Sequence, residues 1–144
     1  MKKTEQDVFK LYQGEKDNLP WNLILTEGYL KAKFKEKLSW FLCINIQLLV
    51  SENGSISNME DKILNDMEDD LYHKFKAVDE VYRAGRFTHN GIRSLFFYVT
   101  NPQTISSTLN KIIESGSQAR EFDYRMERDP EWKGVREILK IPNL

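Results

Sequence analysis

At 144 residues the chain has the length of one domain, and its 40% hydrophobic and 12% aromatic content is enough to fill a single core. A formal net charge of -1 leaves no overall positive field for a phosphate backbone, so non-specific nucleic-acid binding is disfavoured. The lone cysteine, Cys43, excludes an internal disulfide, and no apolar run approaches the roughly 18 residues of a membrane span.

Thr4 to Asp7 is polar where a signal peptide would turn apolar, so a soluble, cytoplasmic setting is expected. No internal repeat or linker divides the sequence, which is read as one domain over 1–144. Residues 1–18 form a peripheral segment, in which Val8, Phe9, Leu11 and Tyr12 suggest a short docking helix. Trp21 to Leu25 reads as a first strand; Gly28 to Lys37 alternates lysine with apolar residues and fits either a helical turn or extended chain.

Leu38 to Val50 is the strongest strand. Leu38, Trp40, Leu42, Ile44, Ile46 and Leu48 make an apolar face at period two, while Ser39, Phe41, Cys43, Asn45 and Gln47 line the reverse. Asn53-Gly54-Ser55 matches a glycosylation sequon but is read as a turn. Ser57 and Glu60 then have capping-box spacing, opening a helix whose expected buried stripe is Met59, Ile63, Met67, Leu71 and Phe75.

Val81 to Thr100 reads as a hairpin around Asn90-Gly91, a dipeptide that tolerates the positive φ angles of a type I′ turn. That turn sets His89 opposite Ile92, Thr88 opposite Arg93, Phe87 opposite Ser94, Gly85 opposite Phe96 and Arg83 opposite Tyr98. One face is expected to carry Tyr82, Ala84, Leu95, Phe97 and Val99, with Arg86, Thr88 and Arg93 towards the tip; the other carries Val81, Arg83, Gly85, Phe87, Phe96 and Tyr98.

Asn101-Pro102 caps and opens a second helix, with Ile105, Leu109, Ile112 and Ile113 on one face and Gly116 at its end. Phe122, Tyr124 and Met126 alternate with charged residues as a half-buried strand. Asp129-Pro130 repeats the cap-then-proline start for a last helix over 129–140, turning Trp132, Val135, Ile138 and Leu139 inward. The order from 38 to 127 is β-α-β-β-α-β, so the expected fold class is α+β and ferredoxin-like: an antiparallel sheet with two helices on one face, plus an N-terminal strand and a C-terminal helix. The strands holding Tyr82 and Tyr124 would form its edges.

The hairpin GRFTHNGIRSLFFYV and the distal EFDYRMERDPEWKGVREIL together resemble the bacterial family called domain of unknown function 695. The matching features are Gly85, Thr88, Gly91, Arg93 and Phe97-Tyr98, then Asp129-Pro130 and Trp132. The resemblance covers residue 20 onwards and implies no known activity. A more distant likeness, of architecture alone, is to the protein regulator of ribonuclease E, from which no binding residue is carried over.

Chemical motifs are sparse. His73, His89 and Cys43 lack the paired spacing of a metal site, no nucleophile elbow surrounds a serine, and the glycines form no phosphate loop, so no metal, cofactor or catalytic residue is expected. The sharper expectation concerns the open sheet face, from which Asn45, Gln47, Arg83, Phe87, Phe96, Tyr98, Asp123 and Arg125 should project: either the C-terminal helix or the N-terminal segment packs over its aromatics, or it forms an interaction surface together with Arg93 and the acidic first helix. Ser57, Asp129 and Trp132 are read as structural caps and anchor. A non-enzymatic module binding a protein partner, with self-association possible, is the leading reading. A small-molecule enzyme with a polar pocket near Arg93 and Tyr98 is the alternative, and RNA binding is disfavoured because the strands lack ribonucleoprotein-motif spacing.

Overall fold

The computed structural model describes residues 9–26, 37–138 and 140. Six strands and three helices follow in the order β1 (Phe9–Lys16), β2 (Leu19–Thr26), β3 (Trp40–Gln47), α1 (Asn58–Lys76), β4 (Val81–His89), β5 (Ile92–Val99), α2 (Pro102–Ser115), β6 (Phe122–Arg128) and α3 (Lys133–Ile138). All strand pairs are antiparallel, in one sheet of order β1-β2-β4-β5-β3-β6. The chain is therefore α+β. The sheet order differs from that of the four-stranded sheet expected, because the β1–β2 hairpin pairs along β4 and removes it from the edge.

The docking helix expected around Phe9 to Tyr12 is instead strand β1. Asp17 and Asn18 hold positive φ angles of 56° and 64°, and this tight turn places β1 in register along all eight residues of β2. Val8, residues 28–36 and Leu139 lie outside the described residues.

The β4–β5 turn folds as its sequence dictates, with φ of 50° at Asn90 and 80° at Gly91, and the expected pairs hold from His89 to Gly85. Beyond Gly85 they fail. A bulge at Ala84 sets Arg83 opposite Phe97 and Tyr82 opposite Tyr98, so side chains past it change faces. A Cβ on Gly85 would stand 2.2 Å from the Ile24 carbonyl oxygen, so glycine alone lets β2 approach there. As a result Arg83 turns to the helix side, and Tyr82 and Ala84 pack on the other.

Two apolar layers sandwich the sheet. Leu42, Ile44, Ile46, Leu95, Phe97 and Val99 meet Leu64, Leu71 and Phe75 of α1 and Ile105 and Leu109 of α2. The buried positions of α1 are Glu60, Leu64, Glu68, Leu71 and Phe75, and the expected stripe is corrected: Met59 is 75% exposed. Steps of four overrun a 3.6-residue turn, and the three-residue step from Glu68 to Leu71 restores the phase. On the opposite face Trp21, Leu23, Leu25, Phe41, Cys43, Tyr82, Phe96 and Tyr98 are covered by Trp132, Val135 and Ile138.

This cover is held by a latch at Asp129. Its carboxylate accepts hydrogen bonds from the amides of Lys133 (2.7 Å) and Gly134 (2.8 Å) and from the Tyr98 hydroxyl (2.7 Å). Trp132 stacks on Tyr98 with ring centroids 4.0 Å apart, and its indole N–H donates to the Leu38 carbonyl. The last helix thus starts at Lys133 and not after Asp129, because Trp132 adopts a positive φ of 57° and breaks the chain direction. Burial first, and the Asp129 carboxylate second, push the Tyr98 phenol far above its ordinary range.

Candidate functional site: a polar cleft at the hairpin tip

The open face is largely closed by the chain itself. Phe96 and Tyr98 are buried in the core under α3, and Phe87 packs against Trp21. Asn45 is half-buried, donating to Asp123 (3.1 Å) and accepting from Ser94 (2.7 Å). Only Gln47, Asp123 and Arg125 of the nine expected surface residues are exposed, and Arg125 pairs with Glu127.

Arg83 and Arg93 are on the opposite side, against α1. Arg83 reaches Asp69 at 3.2 Å and Glu68 at 3.5 Å, with its guanidinium 4.0 Å from the Tyr72 ring centroid. Arg86 meets Glu68 at 3.1 Å and Asn65, and Arg93 meets Asp61 at 2.8 Å. The buried Glu60 is paired with Arg120 and also accepts the Leu49 amide (3.0 Å). Arg120, foremost, holds the Glu60 carboxyl below its usual range. Ser57 caps α1 by accepting from the Glu60 amide, as expected, but the Glu60 carboxylate does not return to Ser57. Much of the acidity of α1 is therefore matched by arginines of its own chain.

Arg93 and Tyr98 cannot share a pocket. They stand five residues apart on one strand, hence on opposite faces and separated by about 17 Å. Arg93 instead belongs to a polar row that crosses four strands on the helix side: Gln13 pairs with Asn22, Asn22 with Thr88, and Thr88 with Arg93. Gln13 donates to Asn22 at 3.0 Å, and Arg93 Nε donates to Thr88 Oγ1 at 2.9 Å.

That row floors a cleft of about 400 Å3. Asn58 and Asp61 at the start of α1 line it, together with Val50, Gly54, Ser55 and Ile56 of the loop before α1, the β4–β5 turn and Pro20. The volume falls within the roughly 300–1,000 Å3 range of small-molecule sites. Arg93 is only 4% exposed, and desolvation lowers its pKa, opposed by the hydrogen bond to Asp61. Its remaining partner is Asn65 (3.2 Å).

Sequence reasoning singled out Arg93 but missed Gln13, Asn22, Asn58, Asp61 and Thr88 as a group. The Ser57-Asn58 cap and the Asn90-Gly91 turn were visible individually. What joined them was the pairing of β1 and β2 onto β4, which the reading of residues 1–18 as a peripheral segment left out.

The model of the family of unknown function DUF695 matches residues 10–139, and the chain belongs to that family. The match begins in β1 and extends past α3, so it spans both the cleft and the latch. No curated protein and no solved structure matches the chain. Among the described residues, no group of His, Cys, Asp and Glu could hold a metal ion, and no helix is long and apolar enough to cross a membrane.

Proposed function

We propose that this DUF695 protein is a binding module whose ligand is a small polar molecule seated in the hairpin-tip cleft. The observation that carries this reading is the Gln13–Asn22–Thr88–Arg93 row, a line of polar side chains along the floor of a concave space, open at Gln13 and Asn22 and buried at Thr88 and at Arg93, where the start of α1 closes over it. We read β3-α1-β4-β5-α2-β6 as a ferredoxin-like unit, with the β1–β2 hairpin supplying the far half of the cleft floor. A thermal-shift screen of polar fragments tests the reading against Asn58→Trp, a substitution at an exposed position that fills the cleft mouth. Hits should stabilise wild type and leave Asn58→Trp unmoved; equal stabilisation of both would remove the proposal.

A second reading keeps the protein partner. It is favoured by Gln47, Asp123 and Arg125, exposed along β6 and its neighbour at the free edge of the sheet. Reversing both charges, Asp123→Arg with Arg125→Glu, would abolish such a contact while sparing the fragment hits.

A further inference from the structure

The cleft's hydrogen-bonding inventory points to a class of ligand, an inference that rests on the cleft reading above. Arg93 carries five N–H donors, of which three are spent on Thr88, Asn65 and Asp61. The Thr88 hydroxyl accepts from Arg93 and donates to no described residue, though Thr88 is buried. Asn58 makes no side-chain hydrogen bond to a described residue, and the Asn22 amide N–H2 is unspent. Unspent donors thus lie along the floor, on Arg93, Thr88 and Asn22.

Charge is balanced there. The cationic Arg93 is ion-paired to Asp61, which also accepts from Asn65 and stands half-exposed at the cleft wall. Apart from this pair and His89, no lining residue is ionisable. An incoming anion would gain little from a guanidinium already neutralised and would face the Asp61 carboxylate. A neutral ligand with adjacent hydroxyls satisfies both sides: its oxygens accept from Arg93, Thr88 and Asn22, while its O–H groups donate to Asp61 and Asn58. Pro20, Val50 and Ile56 add apolar wall against which C–H faces can rest. We infer that the cleft binds a neutral polyol of saccharide type.

The test is a 15N-HSQC titration of the full chain with a panel of neutral mono- and disaccharides, set against inorganic phosphate and citrate. A neutral sugar should shift the amides of Asn22, Thr88 and Arg93 saturably. Asp61→Asn should weaken that binding by about tenfold or more, since it removes a charged acceptor. Asn58→Ala, at an exposed side chain that makes no hydrogen bond to a described residue, should weaken it by about three- to tenfold without moving Tm. Saturable shifts from phosphate or citrate and none from any sugar would overturn the polyol inference while leaving the cleft in place. Fragment binding that Asn58→Trp fails to block would overturn the cleft itself, so the two failures are distinguishable.

Discussion

Replacing Asp129 by alanine should cost far more than the loss of an ordinary helix cap. An N-cap substitution costs about 1 kcal/mol, and from sequence that figure would suffice. In the structure the Asp129 carboxylate is buried, holds two backbone amides and accepts the hydroxyl of the fully buried Tyr98. Removing the carboxylate loses a cap worth about 1–2 kcal/mol and leaves a buried phenol donor unsatisfied, a further cost of about 1–3 kcal/mol. The sum centres on about 3–4 kcal/mol. Tyr98→Phe keeps the stack on Trp132 and removes only the hydroxyl, so a double-mutant cycle isolates the shared bond. Urea denaturation followed by tryptophan fluorescence should give a coupling of about 1–2 kcal/mol. A loss of 1 kcal/mol or less for Asp129→Ala, with no coupling to Tyr98→Phe, would refute the latch.

Three other perturbations follow from the geometry. Gly85→Ala places a Cβ against the Ile24 carbonyl and should destabilise by about 3 kcal/mol or more, with loss of amide protection along β2 in hydrogen exchange. On α1, Leu64→Ala should cost about 2–5 kcal/mol and Met59→Ala under about 0.5 kcal/mol, by chemical denaturation; equal costs would restore the every-fourth-residue stripe. Because Glu60 has its pKa lowered in the folded state, its contribution is fully present above the ordinary glutamate pKa of about 4.3 and is lost as pH falls through the lower folded value. The stability difference between wild type and Glu60→Gln should therefore shrink on acidification through that window, and a difference that stays constant there would contradict the pairing with Arg120.

The parts of the fold legible in the sequence were those set by local chemistry. Asn90-Gly91 fixed one turn, Ser57 and Asn101 marked two helix starts, and period-two alternation picked out the strand around Ile44. The misplacements arose where a non-local contact decided the outcome. Arg83 and Tyr82 exchanged faces because β2 presses on Gly85, and neither residue's neighbours encode that approach. Glu60, read as a capping-box residue, and Glu68, one of the acids of the first helix, proved buried, since their arginines come from β4 and from the loop before β6. The strand β1 had only the Asp17-Asn18 turn as a local signal, and its weak alternation passed for a helix. The cleft was hidden for the same reason: half its floor belongs to β1 and β2.

The central claim is that the chain covers its own sheet face and recognises its ligand in the hairpin-tip cleft. It is tested most directly by a chemical-shift map of any ligand that raises Tm. The amides of Asn22, Asn58, Asp61, Thr88 and Arg93 should move while those of Asn45, Gln47, Asp123 and Arg125 stay still; the reverse pattern would contradict the account.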